Sequence, residues 1–285
     1  MRCGVSSRSS PGCSWLSNGC GGLILRGYQA STDRYWTPLS RLVSIGLVTT
    51  TKTALVTGAN KGIGFAIAQG LGRAGFTVAV GARDEQKRED AVELLRAGGI
   101  DAFGVALDVT SDGSVAAAAE AIEQRTGRLD VLVNNAGIGG TTEAGAQVPS
   151  TLRLDVLRAV LETNVYGAIR VTNAMLPFLR QADSARIVNV SSNMGSMTLQ
   201  TGPQMAAYAP SKTMLNSITA QYARELADTN VIVSAVCPGY VATDFTGFNS
   251  PRSPEQGALT AIRLATAPDD FPSGGFWDDA GPVPW

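Results

Sequence analysis

Thr53-Ala-Leu-Val-Thr57 is a short apolar run, Gly58-Ala-Asn-Lys-Gly62-Ile-Gly64 a glycine-rich turn, and Phe65-Ala-Ile-Ala-Gln-Gly-Leu-Gly72 a segment with helical spacing. A strand that passes through glycines straight into a helix restricts the fold more than any other feature of the chain. It is the local context that a phosphate-binding turn requires. Glycines let the backbone approach a pyrophosphate, and the helix N-terminus offers unpaired N–H groups and a partial positive charge. The pattern then repeats without its glycines. Apolar runs at Phe76–Val80, Ala102–Leu107, Asp130–Val133, Arg186–Val190 and Val231–Cys237 alternate with polar or helical stretches such as Glu85–Ala97. Strands and helices alternating at this spacing predict an α/β fold of the Rossmann type, a doubly wound parallel sheet that binds ligands at the carboxyl ends of its strands.

The residues at those strand ends carry the chemistry. The second run ends in Gly81-Ala82-Arg83-Asp84. A site for NAD usually has a carboxylate here for the ribose 2′-hydroxyl, whereas arginine suits the 2′-phosphate of NADP. Arg83 and Lys61 together favour NADP; the alternative is that Arg83 is a solvated loop charge and Asp84 is the acid. Asp108-Val109 closes the third run, where the carboxylate either accepts from an adenine amino group or caps the next helix. Asn134-Asn-Ala-Gly137 follows the fourth, and its small residues let a cofactor lie close to the backbone. Leu152–Leu179 reads as one long helix carrying Asn164, an amide that would be a surface residue unless it holds a water for catalysis. Ser191 and Ser192 follow the fifth run, either as donors to a substrate oxygen or as turn residues.

Tyr208 and Lys212, four apart on a helix beginning near Ala206, share a face. A nearby ammonium is expected to lower the phenol from its ordinary value near ~10 towards useful acidity. Histidine is absent from the 285 residues, which excludes a Ser-His-Asp triad and histidine-ligated zinc and leaves proton transfer to Tyr, Lys, Asp, Glu, Ser and Cys. The net charge of −1 gives no case for nucleic acid or an anionic membrane surface. No stretch reaches the ~18 to 20 apolar residues of a spanning helix. Cys3, Cys13 and Cys20 match no common zinc spacing, and Cys237 sits in an apolar run, which suits a reducing, cytoplasmic setting.

The first fifty residues have a different composition, rich in Ser, Gly and Arg, with Asp33 the only acid. That is the composition of a transit peptide. The reading preferred here makes residues 1–51 a disordered extension or the product of a start assigned too early, ahead of one domain at 52–285.

Taken together, TGANKGIG at Thr57–Gly64, Asp108, NNAG at Asn134–Gly137, Asn164, Ser192, YAPSK at Tyr208–Lys212 and PGYVAT at Pro238–Thr243 resemble the short-chain dehydrogenase/reductase family over residues 52–285. The NKGIG turn, the ARD after the second strand, VNVSS and the SPEQGA stretch near Ser253 are similar to its carbonyl reductases. The resemblance implies that Asn164, Ser192, Tyr208 and Lys212 are catalytic. It implies NADP(H) contacts from Gly58, Asn60, Lys61, Gly62, Ile63, Gly64, Arg83, Asp108, Val109, Asn135, Ala136, Gly137, Tyr208, Lys212, Pro238, Gly239, Val241 and Thr243, and no metal. Ser192 is chosen over Ser191 because the second serine of SSNMG aligns with the active one, although the spacing to the tyrosine is about three residues longer than usual. The insertion before the tyrosine that marks the mammalian carbonyl reductases is missing, so a homodimer or homotetramer is expected, with a monomer as the alternative.

The implied reaction is reduction of a small-molecule carbonyl to an alcohol. Met194, Met197, Phe245 and Phe248, in the loops Met194–Ala206 and Tyr240–Pro254, either favour a neutral apolar aldehyde or ketone or merely pack the lid. A catalytically silent NADP-binding sensor and an epimerase or isomerase using bound nucleotide are the competing functions.

Overall fold

The sheet is laid down by apolar runs that are buried along their whole length. The computed structural model describes residues 51–285 apart from Thr142, Ala144, Gln200 and Thr201, and the extension expected at residues 1–51 lies outside them except for Thr51. β1 (Thr53–Thr57), β2 (Thr77–Ala82), β3 (Ala102–Ala106), β4 (Val131–Asn134), β5 (Ala185–Val190), β6 (Val231–Val236) and β7 (Gly275–Asp278) are parallel, and β8 (Gly281–Pro282) pairs antiparallel with β7. Every residue of β1, β2, β4 and β5 is buried. Near-continuous apolar strands of this kind are what a sheet needs when helices cover both faces.

The strand order is β3-β2-β1-β4-β5-β6-β7-β8. Chain direction across the sheet reverses between β1 and β4, and the crevice outside their carboxyl ends is the ligand position in doubly wound sheets. The turn after β1 and the Asn135–Gly137 stretch after β4 therefore meet at one place. The helices are α1 (Gly62–Arg73), α2 (Glu85–Ala97), α3 (Asp112–Arg125), α4 (Leu154–Leu161), α5 (Gly167–Leu179), α6 (Tyr208–Glu225) and α7 (Pro254–Ala265). No helix among the described residues is long and apolar enough to cross a membrane.

The long helix expected at Leu152–Leu179 differs in two respects. It starts at Leu154, after a short 3₁₀ turn at Pro149–Thr151, and Glu162–Tyr166 forms a π turn between α4 and α5. The wider turn contains Asn164, whose side chain is bonded outside the helix. Short π insertions of this kind are frequent at functional sites.

Side chains cap the N-termini of α2 and α3, although the sequence points to Asp84 only as the ribose-binding acid. Asp84 caps α2, its carboxylate accepting from Lys87 N at 3.0 Å. Ser111 rather than Asp108 caps α3, accepting from Ser114 N at 3.2 Å.

Candidate active site

Tyr208 opens α6, which sets its side chain at the mouth of the crevice, and Lys212 follows one turn later on the same face. Both are buried, with 9% and 4% of their surface exposed. The Lys212 ammonium donates to Val190 O at the end of β5 (2.8 Å) and stands over the Tyr208 ring, 5.6 Å from its centroid. Burial lowers the lysine to about 8. It pushes the Tyr208 phenol above its ordinary value, an effect partly offset by a hydrogen bond shared with Ser192. The expectation that Lys212 lowers the phenol is thus corrected: the ammonium lies over the ring face, and loss of water dominates both groups.

The two serines after β5 face opposite ways. Ser191 donates to Asn216 Oδ1 on α6 at 2.5 Å, so its hydroxyl is spent in the core. Ser192 accepts from Met194 N at 3.2 Å and reaches the phenol. Asn164 is 1% exposed, and both ends of its amide are hydrogen-bonded: Oδ1 accepts from Ile138 N (2.8 Å), while Nδ2 donates to Ile138 O (2.9 Å) and Ser211 Oγ (3.0 Å). It stands behind Gly137, where an added Cβ would lie 3.3 Å from Asn164 Oδ1 and 3.6 Å from Lys212 Nζ.

A cavity of about 810 Å³ runs from this cluster to the glycine turn. Each of the cofactor-side residues named from the sequence, from Gly58 through Arg83, Asp108 and Asn135 to Thr243, lines it, together with Ser192, Tyr208 and Lys212; Asn164 does not. The turn is shaped to hold an anion. Gly58 and Gly62 have φ of +64° and +57°, and a Cβ on Gly64 would stand 2.4 Å from Gly58 O. Helix α1 starts after Lys61 with no side-chain cap and no acid in its first turn. Its first N–H groups therefore point at the cavity without a side-chain acceptor among the described residues, as a phosphate site requires. Arg83 and Lys61 supply positive charge at this end. Asp108 is held ionised, first by the Thr110 hydroxyl and amide and then by the charges of Arg83 and Arg170. The donor set fits an anionic dinucleotide.

A match to the family described as short chain dehydrogenase spans residues 52–253. The chain belongs to the short-chain dehydrogenase family. It is an oxidoreductase on that ground. It is 38% identical over 225 residues to "Short-chain dehydrogenase anuI" of Penicillium roqueforti, covering 74% of this chain and 87% of that protein. Among solved structures it is similar to salutaridine reductase from Papaver somniferum, at 30% identity and TM-score 0.71 over 79% of this chain and 99% of the other. An NADPH-bound carbonyl reductase from chicken fatty liver matches at 27% identity and TM-score 0.74, over 83% and 100% of the respective chains.

Three contacts of this short-chain dehydrogenase had no signal in its sequence, although Phe245 itself was visible there as a lid residue. Asn216 ties Ser191 to Gly195 O (3.3 Å) and so fixes the turn that presents Ser192. Cys237 Sγ accepts from Asn193 N at 3.2 Å on the same turn. Phe245 packs its ring on Tyr208, with centroids 5.1 Å apart and planes tilted 54°. All three are contacts between segments far apart in the chain, and residue type or spacing alone does not reveal them.

Proposed function

We propose that this chain is an NADP(H)-dependent carbonyl reductase. One observation carries the reading: the phenol of Tyr208, bonded to Ser192 and backed by the Lys212 ammonium, shares a cavity with an uncapped glycine turn flanked by Lys61 and Arg83. When bound, the dihydronicotinamide supplies hydride to the carbonyl carbon. Tyr208 donates its proton to the carbonyl oxygen, and Ser192 donates a hydrogen bond to that oxygen as charge develops. The ammonium of Lys212, fixed by Val190 O, stabilises the phenolate that Tyr208 leaves behind. Asn164 acts as a positioning residue, holding the Ile138 backbone and, through Ser211, the first turn of α6. Exposed Leu154 and Tyr166 on the α4–α5 segment and Met214 on α6 support association of two copies through these helices.

The test is a panel of aldehydes, ketones and quinones mixed with NADPH and followed by absorbance. Steady consumption is expected, at least ~10-fold faster with NADPH than with NADH at equal concentration. Tight NADPH binding with no consumption across the panel would favour the sensor.

The pH profile follows from the burial of Lys212. Below about 8 the amine is charged; as pH rises through that value the charge is lost, and kcat/KM for NADPH, which reports ionisations of the free enzyme, is expected to fall. The phenol, pushed upward, stays protonated throughout this range, so the falling limb belongs to the amine. Lys212→Arg keeps the charge and is expected to move the limb above pH ~10, at a lower plateau. An unmoved limb would assign it to another group.

A further inference from the structure

Thr243 to Phe248 form the tip of a strap between β6 and α7. The stems of the strap are pinned: Arg252 donates to Pro238 O (2.9 Å) and Gln256 O (2.7 Å), Ala242 N donates to Arg252 O (2.8 Å), and Ser250 Oγ donates to Tyr240 O (2.7 Å). The tip is built differently. Its hydrogen bonds run within the strap, from Thr246 N and Phe248 N to Thr243 O and from Thr246 Oγ1 to Val241 O. Its chain reverses through two consecutive left-handed residues, Gly247 (φ +60°) and Phe248 (φ +58°), a conformation that a bulky side chain rarely adopts. Two adjacent residues of this tip reach opposite ends of the cavity. Asp244 pairs with Lys61 of the glycine turn at 2.5 Å. Phe245 lies on Tyr208 and against Gly139, where an added Cβ would meet its ring at 2.9 Å.

Rings in contact at 5.1 Å leave no slot between them for a substrate ring. A carbonyl flanked by bulk on both sides reaches the phenol only if Phe245 swings away, whereas a slender one passes its edge. The tip is held down by an ion pair whose lysine also faces the cofactor end. We propose that Phe245 is the movable, specificity-determining wall of the carbonyl end, and that Asp244 couples it to the cofactor by competing with the 2′-phosphate of NADPH for Lys61. This rests on the NADP(H) reading above. NADPH draws Lys61 from Asp244 and frees the tip; NADH, which lacks that phosphate, leaves the pair closed.

The test uses the full chain, with NADPH and NADH titrated calorimetrically into wild type and Asp244→Asn, and a ketone branched on both sides and a straight-chain aldehyde assayed with wild type and Phe245→Ala. Asp244→Asn is expected to raise the preference for NADPH over NADH by about three- to fivefold, the range open to an exposed ion pair. A mere loss of negative charge near the pyrophosphate would tighten both cofactors equally, and that outcome overturns the competition. Phe245→Ala is expected to raise kcat/KM for a ketone branched on both sides of its carbonyl by about tenfold relative to a straight-chain aldehyde. An unchanged ratio overturns the wall. A wild-type protein that prefers NADH would instead overturn the cofactor reading itself, and the coupling with it.

Discussion

Tyr208→Phe is expected to lower kcat for carbonyl reduction by at least ~10³-fold, while the NADPH dissociation constant stays within about twofold. The substitution keeps the ring, and with it the packing on Phe245 and the Lys212 ammonium over the ring face. It deletes the one oxygen that can hand a proton to the substrate. Ser192 loses its partner but remains bonded to Met194 N, and the unmet hydroxyl is small beside the loss of the proton donor: a cost of ~1 kcal/mol in stability is expected. Stopped turnover with unaltered calorimetric binding therefore separates chemistry from cofactor capture. Weakened NADPH binding with turnover retained would mean that Tyr208 serves the cofactor and that another group gives the proton.

Local patterns were readable where they rest on neighbours in the chain. The Gly58–Gly64 turn was legible because strand, turn and helix are contiguous, and Tyr208 with Lys212 because a helix returns to the same face every four residues. The parallel order of the sheet followed from alternation. What the residues do to one another was not legible. Burial depends on all the elements packed around a group, so the upward shift of the phenol and the lowering of Lys212 to about 8 reversed an expectation drawn from the pair alone. Asn164 was visible as an odd amide in a helix, yet its partners Ile138 and Ser211 lie 26 and 47 residues away. β7 and β8 have only four and two residues in a stretch broken by glycine and proline, too short to show a period. β7 becomes a strand because the edge of β6 is there to pair with, and β8 because β7 then offers its own edge.

Gly64→Ala is the second large effect, and it tests the cradle rather than the chemistry. Gly64 lies in the first turn of α1 without a left-handed backbone, so alanine meets no conformational objection there; by propensity it would favour the helix. The obstacle is steric. The added methyl would stand 2.4 Å from Gly58 O and 2.4 Å from Asn135 Nδ2, and Asn135 itself donates to Thr57 O (2.9 Å) and Gly58 O (3.2 Å). Both neighbours line the cavity, so neither can yield without opening the turn that faces the cofactor. Overpacking of this kind costs ~2 kcal/mol, and if binding must restore the closed turn, the same strain appears as about 30-fold weaker NADPH affinity. Whatever part of the strain the free protein keeps shows instead as a drop in Tm, at roughly 2–4 °C per kcal/mol for a domain of this size. Gly113→Ala is the matched control, since it also sits in the first turn of a helix but has nothing within 4 Å of its added Cβ; it is expected to leave affinity unchanged and raise stability slightly. Equal NADPH affinity in the two variants would show that the glycine turn does not hold the cofactor.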